Sequence, residues 1–270
     1  MRCLIAPGWD ARATLRPSGT GDFLGPSMYE FDTFVYLDMQ KTGSSFVAGM
    51  LKRFCSDREI RRDQHEGLSA DYDPSKFYFI SVRDPLDQYL SLYSFGCQDM
   101  GRLFNTLNKK GLGNLYDGTW NGFRAWLRFV LAPGNASALS EDYAGCGDGR
   151  LSKLVGFQSY RVLSLAIPNA NEVLSQCSDR SEIVAQYRAK SVVNFTIRYE
   201  NFREDLAELL TTKLKDQVSD IEEALNFVRN EKPRNQSDRI DRYETQPSLG
   251  PRLKELLRDR EWFMHEEFGY

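Results

Sequence analysis

The chain has 270 residues, of which 41% are apolar, 27% charged and 13% aromatic, a composition that excludes a disordered, collagenous or repeat-built protein. Its 35 Lys and Arg against 38 Asp and Glu leave a formal charge of −3 at pH 7, so no whole-molecule field gathers nucleic acid or another polyanion. Any anionic ligand has to be held locally.

Residues 1–30, rich in Gly, Pro and polar groups, read as a loosely structured lead-in. Phe34-Val35-Tyr36-Leu37-Asp38-Met39 is short, apolar and rich in β-formers, as a buried strand is, and it runs into the polar turn Gln40-Lys41-Thr42-Gly43-Ser44-Ser45. A helix is expected over Phe46 to Phe54. A second strand, Phe77 to Val82, stops at Arg83-Asp84-Pro85, where Asp can cap and Pro can open a helix carrying Leu86, Tyr89, Leu90 and Tyr93 at helical spacing. Strand, polar turn and helix, twice over, with strands that do not alternate, predict an α/β fold with a mainly parallel central sheet covered on both faces. Residues 96–150, Gly- and Asn-rich around an aromatic helix from Thr119 to Leu131, read as an insertion near an acceptor pocket. Val192 to Tyr199 is a third strand, followed by a helix bearing Phe202, Leu206, Leu209, Leu210 and Leu214. Ile221, Leu225 and Val228 continue the helical pattern, the charged stretch Asn230 to Tyr243 reads as loop, and a last helix is expected from Leu249 to about Phe268. No linker breaks the pattern, so residues 1–270 are expected to form one domain.

No apolar run reaches about 18 residues, so no membrane span is expected, and no basic start followed by an apolar core marks a targeting segment. Five scattered cysteines, never spaced C-x-x-C, suggest neither a disulfide framework nor a zinc site. They read as reduced thiols in a cytoplasm, and the sequons at Asn135, Asn194 and Asn235 as chance.

A turn that leaves a buried parallel strand and opens a helix presents backbone N–H groups and the positive end of the helix dipole to an anion. Gly43 lets the backbone approach, Thr42, Ser44 and Ser45 add hydroxyls, and Lys41 adds a mobile charge. The order is not that of the nucleoside-triphosphatase loop, in which Lys follows the glycine. Arg83, at the end of the second strand, offers a bidentate fork, and Ser91 lies about two turns into the next helix, so both can meet one phosphate.

Lys-Thr-Gly-Ser-Ser after a strand, with Arg83-Asp84-Pro85 and Ser91 eight positions beyond the Arg, resembles the sulfotransferases that use 3′-phosphoadenosine 5′-phosphosulfate (PAPS). In motif style the chain is similar to the carbohydrate-acting, Golgi-type and bacterial members. The segments Arg198-Tyr199-Glu200-Asn201-Phe202 and Trp262 to Tyr270 also resemble family punctuation. The resemblance implies a three-layer α/β/α fold of P-loop type, PAPS as sulfuryl donor and no metal. It implies that Lys41, Thr42, Gly43, Ser44, Ser45 and Phe46 hold the 5′-phosphosulfate, and Arg83 and Ser91 the 3′-phosphate. It also implies that a late basic loop, Glu231 to Ser237, closes over the donor, with Arg234 or Lys232 on the 3′-phosphate and Ser237 in support. A solvated charge run explains that stretch equally well.

Sulfuryl transfer needs a base for the acceptor O–H and a cation for the departing phosphate oxygen. Lys41 is the expected cation. His65 stands where glycan-acting sulfotransferases often place their base, and an imidazole titrating near pH 6.5 suits the task; Glu66 is the alternative, and His265 reads as a solvated helix position. The aromatic residues Phe104, Tyr116, Trp120, Phe123 and Trp126 can stack on an acceptor, though core packing is the plainer role. A slightly acidic chain points to a neutral glycan, lipid head group or small metabolite as acceptor, with a hydroxyl or amine accepting the group. The competing readings are a nucleotide-dependent phosphotransferase and a non-catalytic protein that binds the donor. Oligomeric state is not legible.

Overall fold

The computed structural model describes residues 27–63, 68–231 and 249–270. Strand β1 (Ser27–Phe31) and strand β2 (Phe34–Asp38) are joined by Asp32 and Thr33 alone, so they pair antiparallel, with Tyr29 opposite Tyr36. The expected lead-in therefore ends short of residue 30: Met28, Tyr29 and Phe31 are buried and belong to the sheet. Helix α1 (Ser44–Phe54) follows β2, and β3 (Glu59–Asp63) pairs antiparallel on the outer side of β1.

Strand β4 (Phe77–Val82) lies parallel to β2, and β5 (Val193–Arg198) parallel to β4, giving the order β3-β1-β2-β4-β5. The sheet is mixed, not mainly parallel. Chain that crosses over through helices returns parallel, whereas the two-residue turn before β2 can only reverse direction. In the parallel half, β2, β4 and β5 deliver their C-terminal ends side by side.

The remaining helices are α2 (Pro85–Gly96), α3 (Arg102–Lys109), α4 (Trp120–Leu131), α5 (Ala136–Leu139), α6 (Glu141–Gly145), α7 (Leu151–Leu154), α8 (Phe157–Ala166), α9 (Ala170–Ser175), α10 (Arg180–Lys190), α11 (Phe202–Glu208), α12 (Ile221–Asn230), α13 (Pro251–Arg260) and α14 (Trp262–Phe268). Alternate strand residues face opposite ways. Phe34, Tyr36, Phe79 and Ile197 join Val47, Leu51, Leu206 and Val228 from α1, α11 and α12. Val35, Leu37, Ile80 and Val82 join Tyr89, Trp126, Leu163 and Phe263 from α2, α4, α8 and α14. Helices cover both faces of the sheet, and the chain is α/β. Among the described residues no helix is long and apolar enough to cross a membrane.

The 96–150 segment is helical and part of the second core. Phe123 and Trp126 are fully buried there, Phe104 nearly so, and the Tyr93 ring stacks on Tyr116 and tilts against Phe123 and Trp126. These aromatics pack the core.

The single last helix expected from the periodicity is two, broken at Glu261, whose side chain is wholly buried. Its carboxylate accepts from the N–H groups of Gln158 and Ser159 at the start of α8, at 3.2 and 2.8 Å, and from the hydroxyls of Ser159 and Tyr89. It thus supplies the acceptors that the N-terminus of α8 lacks. Arg260, also buried, donates to the carbonyls of Leu131, Ser152, Lys153 and Val155. A charged pair at the helix break ties α13 to α4, α7 and α8. Glu261→Ala removes the acceptor from two amides and two hydroxyls at once and is expected to cost about 3–5 kcal/mol in urea unfolding, against about 1 kcal/mol for Tyr89→Phe.

Candidate functional site

The C-terminal ends of β2 and β4 are neighbours, with Leu37 opposite Ile80. Beyond Leu37 the chain turns sharply: Lys41 has φ 65° and Gly43 φ 87°, both left-handed, on either side of Thr42. The Thr42 hydroxyl, fully buried, donates to the Met39 carbonyl at 2.6 Å and lies 2.6 Å from Ser81 Oγ, which is itself 2.6 Å from Tyr36 Oη. Its role is to pin the turn to the sheet. Gly43 then caps α1 with its backbone, its carbonyl accepting from Phe46 and Val47 N–H. No side chain caps α1 at this end.

The residues of the expected cradle fall into two sets. Ser44 is half-buried and Ser45 exposed at the mouth of α1. Phe46 lies inward, 4% exposed, in edge contact with Phe202 and tilted against Phe227, so its ring is core. A methyl group on Gly43 would stand 2.6 Å from the Phe202 ring, so glycine is required here for space as well as for its φ.

Arg83 follows β4 and is only 4% exposed. It donates from Nη1 to the Lys41 carbonyl at 3.3 Å and reaches Asp87 at 3.5 Å, while its Nε has no partner. Its guanidinium lies 4.1 Å from the centroid of Tyr199. The structure thus brings Arg83 against the Lys41-Thr42-Gly43 turn, although the two are far apart in sequence. Ser91 sits on α2 one helical turn beyond Asp87 and is partly exposed. Asp84 caps α2 by accepting from Asp87 N–H at 3.0 Å, with Pro85 in the first turn, as expected.

Lys41 Nζ lies 4.0 Å above the Phe95 ring of α2. Burial, reinforced by the nearby Arg83 charge, pushes this ammonium down to about 8. Gln40 is held at both ends: its carbonyl accepts from Gln88 Nε2 at 2.7 Å, and its side-chain oxygen from Arg161 Nη1 at 3.2 Å.

The segment Arg198 to Phe202, marked in the sequence only by its resemblance to family punctuation, reaches the site after β5: Tyr199 faces Arg83, Phe202 at the start of α11 closes over Gly43, and Glu200 between them accepts from Asp84 N–H at 2.9 Å and from Tyr270 Oη at 3.1 Å. One turn therefore braces both others. Gln40, Ser81, Gln88 and Arg161 were not singled out by sequence reasoning. Ser81 and Arg161 carried a legible signal, a polar residue inside an apolar strand and a charge inside an apolar helix. His65, Glu66, Lys232, Arg234 and Ser237 lie outside the described residues. His265 is half-buried, with Nδ1 2.7 Å from the Tyr270 carbonyl.

No family model, curated protein or solved structure matches the chain.

Two results are expected from this geometry. Gly43→Ala is strained both by its φ and by Phe202, and should lower stability by about 1–3 kcal/mol in chemical denaturation. Lys41, whose folded value lies below the ordinary 10.5, disfavours the folded state while charged; the penalty is complete below about pH 8 and is relieved as pH rises toward 10.5. Unfolding of Lys41→Met against the native chain across pH 7–11 should show the variant's relative advantage shrinking over that interval.

Proposed function

We propose that the chain is a PAPS-dependent sulfotransferase, a single domain of three-layer α/β/α phosphate-loop type, that moves a sulfuryl group to a hydroxyl or amine of a glycan or small molecule in a cytoplasmic setting. The observation that carries the reading is the meeting of two separately encoded turns. A buried guanidinium with an unpartnered Nε sits on the carbonyl of the lysine that opens a glycine-containing helix N-terminus. Such a junction suits a ligand with two separate anionic groups, one for the helix mouth and one for the guanidinium. A nucleotide bearing a 5′-phosphosulfate and a 3′-phosphate is such a ligand, and it asks for no metal.

In the proposed reaction the acceptor oxygen forms a bond to sulfur as the bond from sulfur to the 5′-phosphate oxygen breaks. The acceptor's proton goes to a base, His65 or, alternatively, Glu66. The departing oxygen takes the electron pair, and the Lys41 ammonium, charged at neutral pH, offsets that charge. Arg83 and Ser91 hold the 3′-phosphate, and Lys232, Arg234 and Ser237 belong to the loop that covers the donor.

Calorimetric titration with 3′-phosphoadenosine 5′-phosphate in chelator, beside the analogue lacking the 3′-phosphate, tests the donor. Binding that depends on the 3′-phosphate, and that weakens by about 10- to 100-fold in Arg83→Lys, is expected. Stabilisation only by ATP with magnesium would favour a phosphotransferase, and donor binding without transfer to any acceptor a binding protein. With an acceptor in hand, Lys41→Met should lower kcat by about 100-fold or more while changing donor affinity far less, and His65→Ala should lower kcat by about 10²–10⁴-fold.

A further inference from the structure

Helix α2 touches Lys41 at both ends of that residue. At the backbone end, Nε2 of the fully buried Gln88 donates to the Gln40 carbonyl at 2.7 Å, and this carbonyl belongs to the peptide that leads into Lys41. At the other end, the Lys41 ammonium lies 4.0 Å from the centroid of the half-buried Phe95 ring. Gln88 and Phe95 stand about two helical turns apart and therefore share one face of α2. That face follows Lys41 from its peptide to its charge.

Both contacts are built into the fold. Lys41 has φ 65°, a left-handed backbone that is unfavourable for a residue with a Cβ and persists only where its surroundings hold it. Successive peptides are held here: the Gln40 carbonyl accepts from Gln88, and the Lys41 carbonyl from Arg83 Nη1 at 3.3 Å. The Gln40 side chain is fixed in addition, accepting from Arg161 Nη1 at 3.2 Å. The Phe95 ring is confined as well. A methyl group on Gly101, which has φ 96°, would stand 2.8 Å from that ring, so the chain entering α3 lies close against it. Lysine is a flexible four-carbon stem whose freedom is costly to remove, and the attraction between an ammonium and a ring face offsets part of that cost.

We propose that Gln88 and Phe95 are positioning residues for Lys41. Gln88 sets the direction in which the lysine side chain leaves the turn, and Phe95 holds the ammonium where it meets an anionic ligand of the loop. This deepens the reading of Lys41 as the cation that offsets charge on the departing oxygen, and it rests on that reading. Both residues act through Lys41.

The test follows the ε-methylene resonance of Lys41 in proton–carbon correlation spectra of the full chain with labelled lysine, assigned by its absence in Lys41→Met. In the native chain it should lie upfield of the other lysines, because the ring current of Phe95 shields protons above its face. The displacement should persist in Phe95→Tyr, which keeps the ring, and vanish in Phe95→Leu. It should shrink in Gln88→Met, which fills the same space without the donor. An undisplaced Lys41 resonance in the native chain, or a displacement that Gln88→Met leaves unchanged, overturns the proposal. If Gln88→Met does not fold, Gln88→Asn, which draws the same amide back by one methylene, takes its place. Addition of 3′-phosphoadenosine 5′-phosphate should then move the resonance in the native chain and in Phe95→Tyr, and far less in Phe95→Leu and Gln88→Met, while calorimetric affinity stays within about 3-fold in all four. A nucleotide that binds the native chain and leaves the Lys41 resonance in place overturns the proposal, since the ammonium is then seated away from the ligand. No nucleotide binding, beside a resonance that responds to the substitutions as expected, would sink the donor reading and leave the positioning of Lys41 standing.

Discussion

A buried chain of hydroxyls, Tyr36 to Ser81 to Thr42, ending on the Met39 carbonyl, holds the turn after β2 to the strand beside it. All three side chains are fully buried, where an unsatisfied hydroxyl is expensive and a satisfied series is mutually strengthening. The left-handed residues on either side of Thr42 would otherwise leave this turn little reason to keep its shape. Because β2 and β4 run parallel, the pinned turn emerges beside the turn that carries Arg83, and the site exists only through that adjacency.

Three cations at this edge lie against aromatic rings. Lys41 lies over Phe95, Arg83 over Tyr199 and Arg161 near Phe157. An aromatic face fixes a cation's position without cancelling its charge. Among the described residues the carboxylate that pairs with Arg83, that of Asp87, is 3.5 Å away and half exposed to solvent, where water screens it. This is the arrangement expected of a place that waits for an anion, and it underlies the proposed donor site.

The supports lie farther out. Glu261 caps α8, the helix that carries Arg161, and Arg260 binds the carbonyls at the end of α7. The turn after β5 bears on Arg83 through Tyr199, on Asp84 through Glu200 and on Gly43 through Phe202. Both supports were invisible to periodicity. A helix pattern through residues 249–268 carries no mark of the break at Glu261, because the break is made by partners more than a hundred residues away. An apolar strand likewise shows a burial pattern but not the neighbour it pairs with.

Composition and local pattern determined the α/β class, the three parallel strands, the capped helix after Asp84 and the presence of a glycine turn bearing a lysine, since each follows from a few consecutive residues and the rules that govern them. The hairpin that adds β1 was hidden because its strand is short and follows a polar, glycine-rich segment. What tertiary structure decided is which of those local features meet: that Thr42 is spent on holding the turn, that Phe46 is core, that Arg83 rests on the Lys41 carbonyl, and that Arg161 arrives at Gln40. Those contacts join residues separated by roughly 40 to 160 positions, and only the pairing of strands and the packing of helices on both faces of the sheet brings such residues together.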